Sequence, residues 1–213
     1  MSFLNVVGSH RVKLESSTGM VADWLWYFQR NDAFLRNEWS NYTNWPYKNH
    51  IPSNISLDST SNLYITGNYS ALNTRSILEN FGILFGPDYR EISLPRGIYD
   101  YVEKYTRTSG FADEGIYCYN FCLNTSPYEY QPSGAVNTGR FKTIELEFNT
   151  YAPPIDMSGA NVNIECDGDG VPVNISQKPA WALYKYNYNL HVFEERFNIL
   201  SFVSGTCGLT YAK

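Results

Sequence analysis

The sequence predicts an all-β protein, a sandwich or barrel of short strands, and three observations carry that expectation. Aromatic residues make up 16% of 213 positions, with 18 Tyr among them, and such side chains favour strands over helices. The run Ile144 to Asn149 alternates, with Ile144, Leu146 and Phe148 on one face against Thr143, Glu145 and Glu147 on the other; this is the period-two pattern of a half-buried strand. Strand-like runs are separated by turn signals along the whole chain, with at most one helical candidate and no repeat of fixed period. The length fits one large domain over 1–213 better than two small ones, and 43% apolar content is enough to bury a core.

In chain order, His10 to Leu14 alternates weakly and can be a first strand, closed by the turn signal Ser16 to Gly19. Met20 to Arg30 contains Trp24, Leu25, Trp26, Tyr27 and Phe28, an aromatic block that fits a strand buried on both faces. Asn31 to Asn62 is polar and carries Pro46 and Pro52, which predicts a long loop with surface aromatics Trp39, Tyr42, Trp45 and Tyr47. Such a loop serves either as an intersubunit contact or tower, or as a self-packed Ω-loop over the end of the core. Leu63 to Thr66 reads as a short strand. Leu72 to Phe85 is the helical candidate, with Ile77, Leu78 and Phe81 on one face and Gly82 or Gly86-Pro87 to end it, although two strand fragments fit as well.

Glu91 to Leu94 and Ile98 to Tyr105 read as extended, the second with Tyr99, Tyr101 and Tyr105 marking one face. Gly115 to Leu123 is a strand. Asn161 to Glu165 and Val171 to Asn174 flank Cys166-Asp-Gly-Asp-Gly170, a tight hairpin turn. Asp167 and Asp169 sit at the first and third places of an EF-hand loop, but its sixth and twelfth places hold Pro172 and Lys178, so calcium binding there is not expected. Ala180 to Phe193 alternates as a long strand, broken by Glu194-Glu195-Arg196 before a last strand from Phe197 to Val203.

Composition excludes several functions. A net charge of −5 with no basic run of five argues against direct nucleic-acid binding. Cys118 and Cys122 lie four apart on one expected strand, roughly 13 Å, beyond the reach of a disulfide while the strand stays extended. With Cys166 and Cys207 they read as reduced core residues of a reducing compartment. The N-terminus lacks a signal-peptide pattern, and no apolar run approaches a membrane span, so no membrane insertion is expected. Sequons at Asn41, Asn54, Asn68, Asn124 and Asn174 then read as incidental.

The stretch from Gln131 to Asn149 organises the chain. Pro132 fixes φ, Gly134 is free to take positive φ, and Ser133 and Asn137 can bond their own backbone. Arg140, at the mouth of the alternating strand, can offer five donors to loop carbonyls or carboxylates. Pro132-Ser133-Gly134, Asn137 and Arg140 resemble the Pro-Ser-Gly-x-x-Asn-x-Ser-Arg signature of major capsid proteins of nucleocytoplasmic large DNA viruses. Gly139 stands where that family usually has Ser. Near the C-terminus, Phe197, Asn198, Ile199 and Leu200, then Gly205, Gly208, Leu209 and Tyr211, are similar to the family's closing pattern, with Phe197 for Tyr, Ser201 for Arg and Thr206 for Met.

The resemblance implies a jelly-roll β-sandwich, one of two jelly rolls of a double jelly-roll chain and most similar to the C-terminal one. It implies a structural virion role in trimeric, pseudo-hexameric capsomers, assembled in the host cytoplasm. The implied partners are the chain itself as a homotrimer, neighbouring capsomers, an N-terminal jelly-roll domain or chain, and minor capsid proteins. A double jelly roll needs about twice this length, which makes the chain a part-subunit, a split gene product or a single jelly-roll relative.

No catalytic, cofactor-binding or metal-binding residues are found. There is no nucleophile elbow or phosphate loop, and His10, His50 and His191 lack a neighbouring nucleophile pattern. Glu145 and Glu147 point outward together, as a solvated face or as partners of a neighbouring Lys or Arg. The competing class is a carbohydrate-binding, lectin-like β-sandwich that stacks sugars on Trp39, Tyr42, Trp45 and Tyr47.

Overall fold

Alternating burial along the strands builds two sheets that face each other. The computed structural model describes residues 1–15, 17, 19–45, 74–109, 112–126, 128, 131–152, 161–166, 168–169, 172–178 and 186–210, with backbone only for 161–166 and 172–178. The elements are β1 (Ser2–Val6), β2 (Ser9–Lys13), β3 (Met20–Arg30), α1 (Ala33–Arg36), β4 (Leu78–Phe85) and β5 (Asp88–Pro95). A π-type turn at Ile98–Val102 runs into α2 (Glu103–Arg107), followed by β6 (Ile116–Asn120), β7 (Val136–Asn137), a 3-10 turn at Thr138–Arg140 and β8 (Ile144–Thr150). The chain continues through β9 (Asn161–Cys166), β10 (Pro172–Lys178), β11 (Tyr188–Phe197), β12 (Leu200–Val203) and β13 (Thr206–Leu209).

The first sheet runs β1-β11-β3-β6, with β7 added on β3, and the second runs β2-β8-β4-β5. Every pairing in both sheets is antiparallel. With β7 and the separate hairpins β9–β10 and β12–β13 set aside, eight strands remain. Numbered in chain order, they give sheets of order 1-8-3-6 and 2-7-4-5, which is the doubly folded Greek key of a jelly roll.

The core lies between the sheets. Trp24, Trp26 and Phe28 of β3, Tyr188, Leu190 and Val192 of β11, and Tyr117 and Tyr119 of β6 meet Phe81 and Ile83 of β4 and Ile144, Leu146 and Phe148 of β8. Trp26 stacks on Phe81 at 4.3 Å and lies edge-on to Tyr99 at 5.4 Å. Phe148 lies against both Phe81 and Phe28. Aromatic pairs of this kind add about 0.5–1.5 kcal/mol each beyond the area they bury. Tyr99 closes one end of the core, and its hydroxyl donates to the Phe81 carbonyl oxygen at 2.9 Å.

Five expectations require correction. Residues 78–85 are a strand, not a helix: Phe81 and Ile83 face the core, and Gly82 lets β5 close in, since a Cβ there would meet Ser93 N at 3.3 Å. The segment Ile98 to Tyr105 is helical, not extended. Its Asp100 takes both Lys104, at 2.6 Å, and Arg96, at 3.7 Å, each four residues away, a spacing that brings side chains together only on a helix. Glu194-Glu195-Arg196 does not break a strand, because β11 continues to Phe197 through a bulge between Glu195 and Arg196. The run Phe197 to Val203 is not one strand but the end of β11 and the start of the β12–β13 hairpin. The weakly alternating first strand, β2, is preceded by β1, which pairs with β11.

The remaining strand expectations hold over β3, β6, β8 and the β9–β10 hairpin. Leu63 to Thr66, Tyr47, Asp167, Tyr211 and the 46–62 part of the long loop lie outside the described residues.

Candidate interaction surface

The Gln131–Arg140 loop is pinned to the rim of the first sheet by small polar groups. Ser133 Oγ donates to the Asn124 carbonyl oxygen at 3.0 Å and accepts from Asn124 N at 2.8 Å. Gly134 has φ +142, and a Cβ there would sit 3.2 Å from the Phe121 carbonyl oxygen. This close approach explains the glycine. Asn137 pairs with Met20 through β7, while its Oδ1 accepts from Gly139 N at 3.1 Å and caps the 3-10 turn.

Thr138 is buried, and its amide and hydroxyl both donate to the Gly19 carbonyl oxygen, at 3.0 and 3.2 Å. Pro132 and Arg140 are exposed. Among the described residues Arg140 meets neither the loop carbonyls nor the carboxylates expected for it, so its guanidinium faces outward. A Cβ at Gly139 would lie 3.3 Å from Asn137 Oδ1, so the small residue relieves the cap.

The second group of expected residues forms the C-terminal hairpin. Leu200 pairs with Leu209 and Ser201 with Gly208. Ser204 and Gly205 both have positive φ, 51 and 80 degrees, as the twist of a two-residue hairpin turn requires. Asn198 Oδ1 accepts from Ile199 N at 2.8 Å and sets the entry. Both strands are exposed along their whole length. Ile199, Leu200, Phe202, Val203 and Leu209 are each more than half exposed, with Phe202 at 74%. An isolated two-stranded hairpin is marginal in water at best, and an apolar one reads as a surface to be covered.

The outer face of the first sheet carries the same character. Tyr27 packs against Tyr42, His191 and Phe193, at 4.5, 5.0 and 5.9 Å, while Leu25 and Phe193 stay largely exposed. Burial keeps the His191 imidazole below its ordinary range, so it is neutral at physiological pH. The outer face of the second sheet differs. Arg11 reaches both Glu145 and Glu147, and the Tyr89 hydroxyl also donates to Glu147. The outward carboxylates therefore pair with a neighbouring Arg, as the sequence suggested.

The loop after β3 is fastened by a buried polar network that sequence reasoning missed. Arg30 grips Asp32 through Nε and Nη2 at 2.9 and 2.7 Å and donates to the Asn44 carbonyl oxygen at 3.0 Å. Arg36 adds a third bond to Asp32 at 3.0 Å. Asn44 Oδ1 accepts from the Tyr186 and Tyr188 hydroxyls at 2.6 and 3.0 Å, and Arg30 lies 3.6 Å over the Tyr186 ring. Over 31–45 this is the self-packed covering of a core end, and it includes α1.

Of the three described aromatics expected at the surface, only Trp39 is exposed, at 63%. Tyr42 and Trp45 are half-buried, Tyr42 against Tyr27 and Trp45 under Arg75. Asn41 is also buried, with its amide nitrogen donating to Glu38 and the Trp45 carbonyl oxygen, so its sequon is closed to a glycan. Cys118 and Cys122 are buried free thiols, although β6 ends before Cys122.

No family model and no curated protein matches the sequence. Solved structures do match in fold. A crystal structure of PBCV-1 VP54, fitted into a reconstruction of the virophage Sputnik, superposes with a TM-score of 0.65 at 19% identity, over 100% of this chain and 49% of that one. A quasi-atomic model of the PBCV-1 virus capsid gives 0.62 at 18% identity, again over 100% and 49%. A Faustovirus major capsid protein aligns over 92% of this chain and 31% of that one, with a TM-score of 0.47 at 12% identity. The chain spans about half the length of the first two, and it has the jelly-roll fold found in one half of a PBCV-1 capsid chain.

Proposed function

We propose that the protein is a structural, non-catalytic component of an icosahedral virion shell, acting as one jelly roll of a capsomer. The observation that carries this is the fold match over the entire chain to half of a capsid chain, together with an exposed apolar hairpin and the exposed Leu25 and Phe193 on the outer face of the first sheet. A second jelly roll, supplied by the same polypeptide or by another chain, packs on that apolar surface. Three such units form a pseudo-hexameric capsomer that meets its neighbours and minor capsid proteins. Assembly takes place in the cytoplasm of an infected host cell.

In this reading 1–213 acts as one jelly-roll unit. The signature residues divide into two roles. Pro132, Ser133, Gly134 and Asn137 hold the rim loop in shape, and Arg140 is presented to a neighbouring subunit. Asn198, Leu200, Gly205, Gly208 and Leu209 build the hairpin that docks. The exposed Trp39 gives the lectin-like reading one stacking platform, but the partial burial of Tyr42 and Trp45 removes the array that sugar stacking needs.

Light scattering across a concentration range tests the proposal, with and without an N-terminal jelly-roll chain of the same capsid type. A trimer, or larger particles when the second jelly roll is present, is the expected outcome. A monomer unchanged by that partner overturns the shell role.

A further inference from the structure

Three oxygen-bearing side chains lie side by side across the outer face of the first sheet. Glu195 of β11 stands directly opposite Asp23 of β3, and Asp23 stands directly opposite Asn120 of β6. Neighbours on successive rungs are about 4.5–5.5 Å apart, and the bulge after Glu195 re-aims the end of β11. All three line a cavity of about 230 Å³ roofed by Lys104, Thr108, Ser109 and Ala112.

Two oxygens in this cavity have no partner. Asp23 is 4% exposed and Asn120 6%, and Oδ1 of each is buried without a hydrogen bond. The Asn120 orientation is not arbitrary. Its Nδ2 donates to Glu103 Oε2 at 3.0 Å, and turning the amide over would set oxygen against carboxylate. The carbonyl oxygen is therefore held away from Glu103. Leaving such groups unpaired costs about 1–3 kcal/mol each, so this floor is incomplete as it stands.

The charges around the cavity favour a cation. Lys104 Nζ is already committed, to Asp100 Oδ1 at 2.6 Å and to the Asp113 carbonyl oxygen at 3.3 Å. Asp23 and Glu195 are left as the acidic groups of the lining, with Glu103 beside it on Asn120. Asp23 and Glu195 stand opposite one another at the strand pair and both line the cavity. Cys118, also on the lining, is not a ligand for a soft metal, because burial raises its thiol to about 11 and keeps it protonated.

We propose that Asp23, Glu195 and the Asn120 carbonyl oxygen form a binding site for a hard divalent cation of the calcium class. Oxygen-only ligands from a carboxylate pair and an amide, completed by water through the open side, suit calcium, whereas zinc favours nitrogen and sulfur donors in a tetrahedral set. The cation would tie β11, β3 and β6 together beneath the crossover that carries α2. This holds for the chain alone and does not depend on the shell role.

The test is calcium chloride added to chelator-treated protein at pH 8, read by melting temperature and by titration calorimetry, with sodium chloride at matched ionic strength as reference. Calcium is expected to raise the melting temperature, and magnesium to do so less. Glu195→Gln, at an exposed position, is expected to fold as the parent does and to bind about tenfold or more weakly. Asp23→Asn is expected to abolish the response; if it does not fold, Glu195→Gln decides. A parent protein that responds no differently to calcium than to sodium overturns the site, and so does a Glu195→Gln variant that responds as the parent does.

Discussion

The two sheets share one core and differ on their outer faces. On the second sheet, β2 and β8 turn Arg11, Glu145 and Glu147 to water, and these charges satisfy one another. On the first sheet, β3 and β11 turn out Leu25, Tyr27 and Phe193, and the separate β12–β13 hairpin exposes Phe202 and Val203. The strands have the same pleat and the same alternation, so the difference lies only in what occupies alternate positions. It teaches that one outer face is satisfied by its own charges while the other leaves apolar groups in water, the contrast on which the proposed docking rests.

The largest effect belongs to the core common to both faces. Trp26→Ala removes the ring that stacks on Phe81 and is expected to cost about 3–5 kcal/mol, measured as the shift in a urea midpoint. A smaller loss would mean that the two faces are not held by one core. Next, Phe202→Asp together with Phe193→Asp should weaken association with a second jelly roll by about tenfold or more, while the melting temperature of the isolated chain stays put. Equal loss of stability and association would show that the apolar face serves folding.

A further contrast is electrostatic. The folded chain keeps a proton on Asp23 up to about pH 7, where an ordinary carboxyl of pKa 3.8 has released it. Stability should therefore fall as pH rises from about 4 through about 7, in chelator, since the folded state binds the extra proton. Asp23→Asn should flatten that slope, and an unchanged slope would assign it to other groups. The smallest effect is on the charged face. Arg11→Ala, at a solvent-accessible pair, should leave both melting temperature and association nearly where they were, and a loss of association would move the contact surface to the second sheet.

Much of the fold was legible because period two survives in the strands that form the core: Ile144, Leu146 and Phe148 alternate in sequence and in burial. Legibility failed where one pattern fits two periods. Ile77, Leu78 and Phe81 suit a helix, yet Ile83 and Leu84 are buried too, so both faces of β4 are covered. The tyrosines of 98–105 suggested a strand, while the spacing of Arg96, Asp100 and Lys104 carried the helical signal. The rim loop was readable in part: Gly134 takes its positive φ and Asn137 caps the turn, whereas Ser133 bonds Asn124 across the loop and not its own backbone. The Asp23 to Asn120 row was not readable, because only strand pairing makes those residues adjacent, and the Arg30, Asp32 and Arg36 network was missed although Asp32 and Arg36 stand four apart, because the polar run around them reads as loop.

The strand order has a consequence for synthesis. β11, the last of the eight principal strands to be made, is not an edge strand but lies between β1 and β3. A growing chain can therefore pair β3 with β6 and β7 and still leave β1 without a partner until Tyr188 to Phe197 has emerged. Pairings that span nearly the whole chain, such as Phe3 with Leu190, close late and slowly. Until then Trp24, Trp26 and Phe28 have only half their cover. For that interval the nascent chain shows apolar surface that the finished sheet hides.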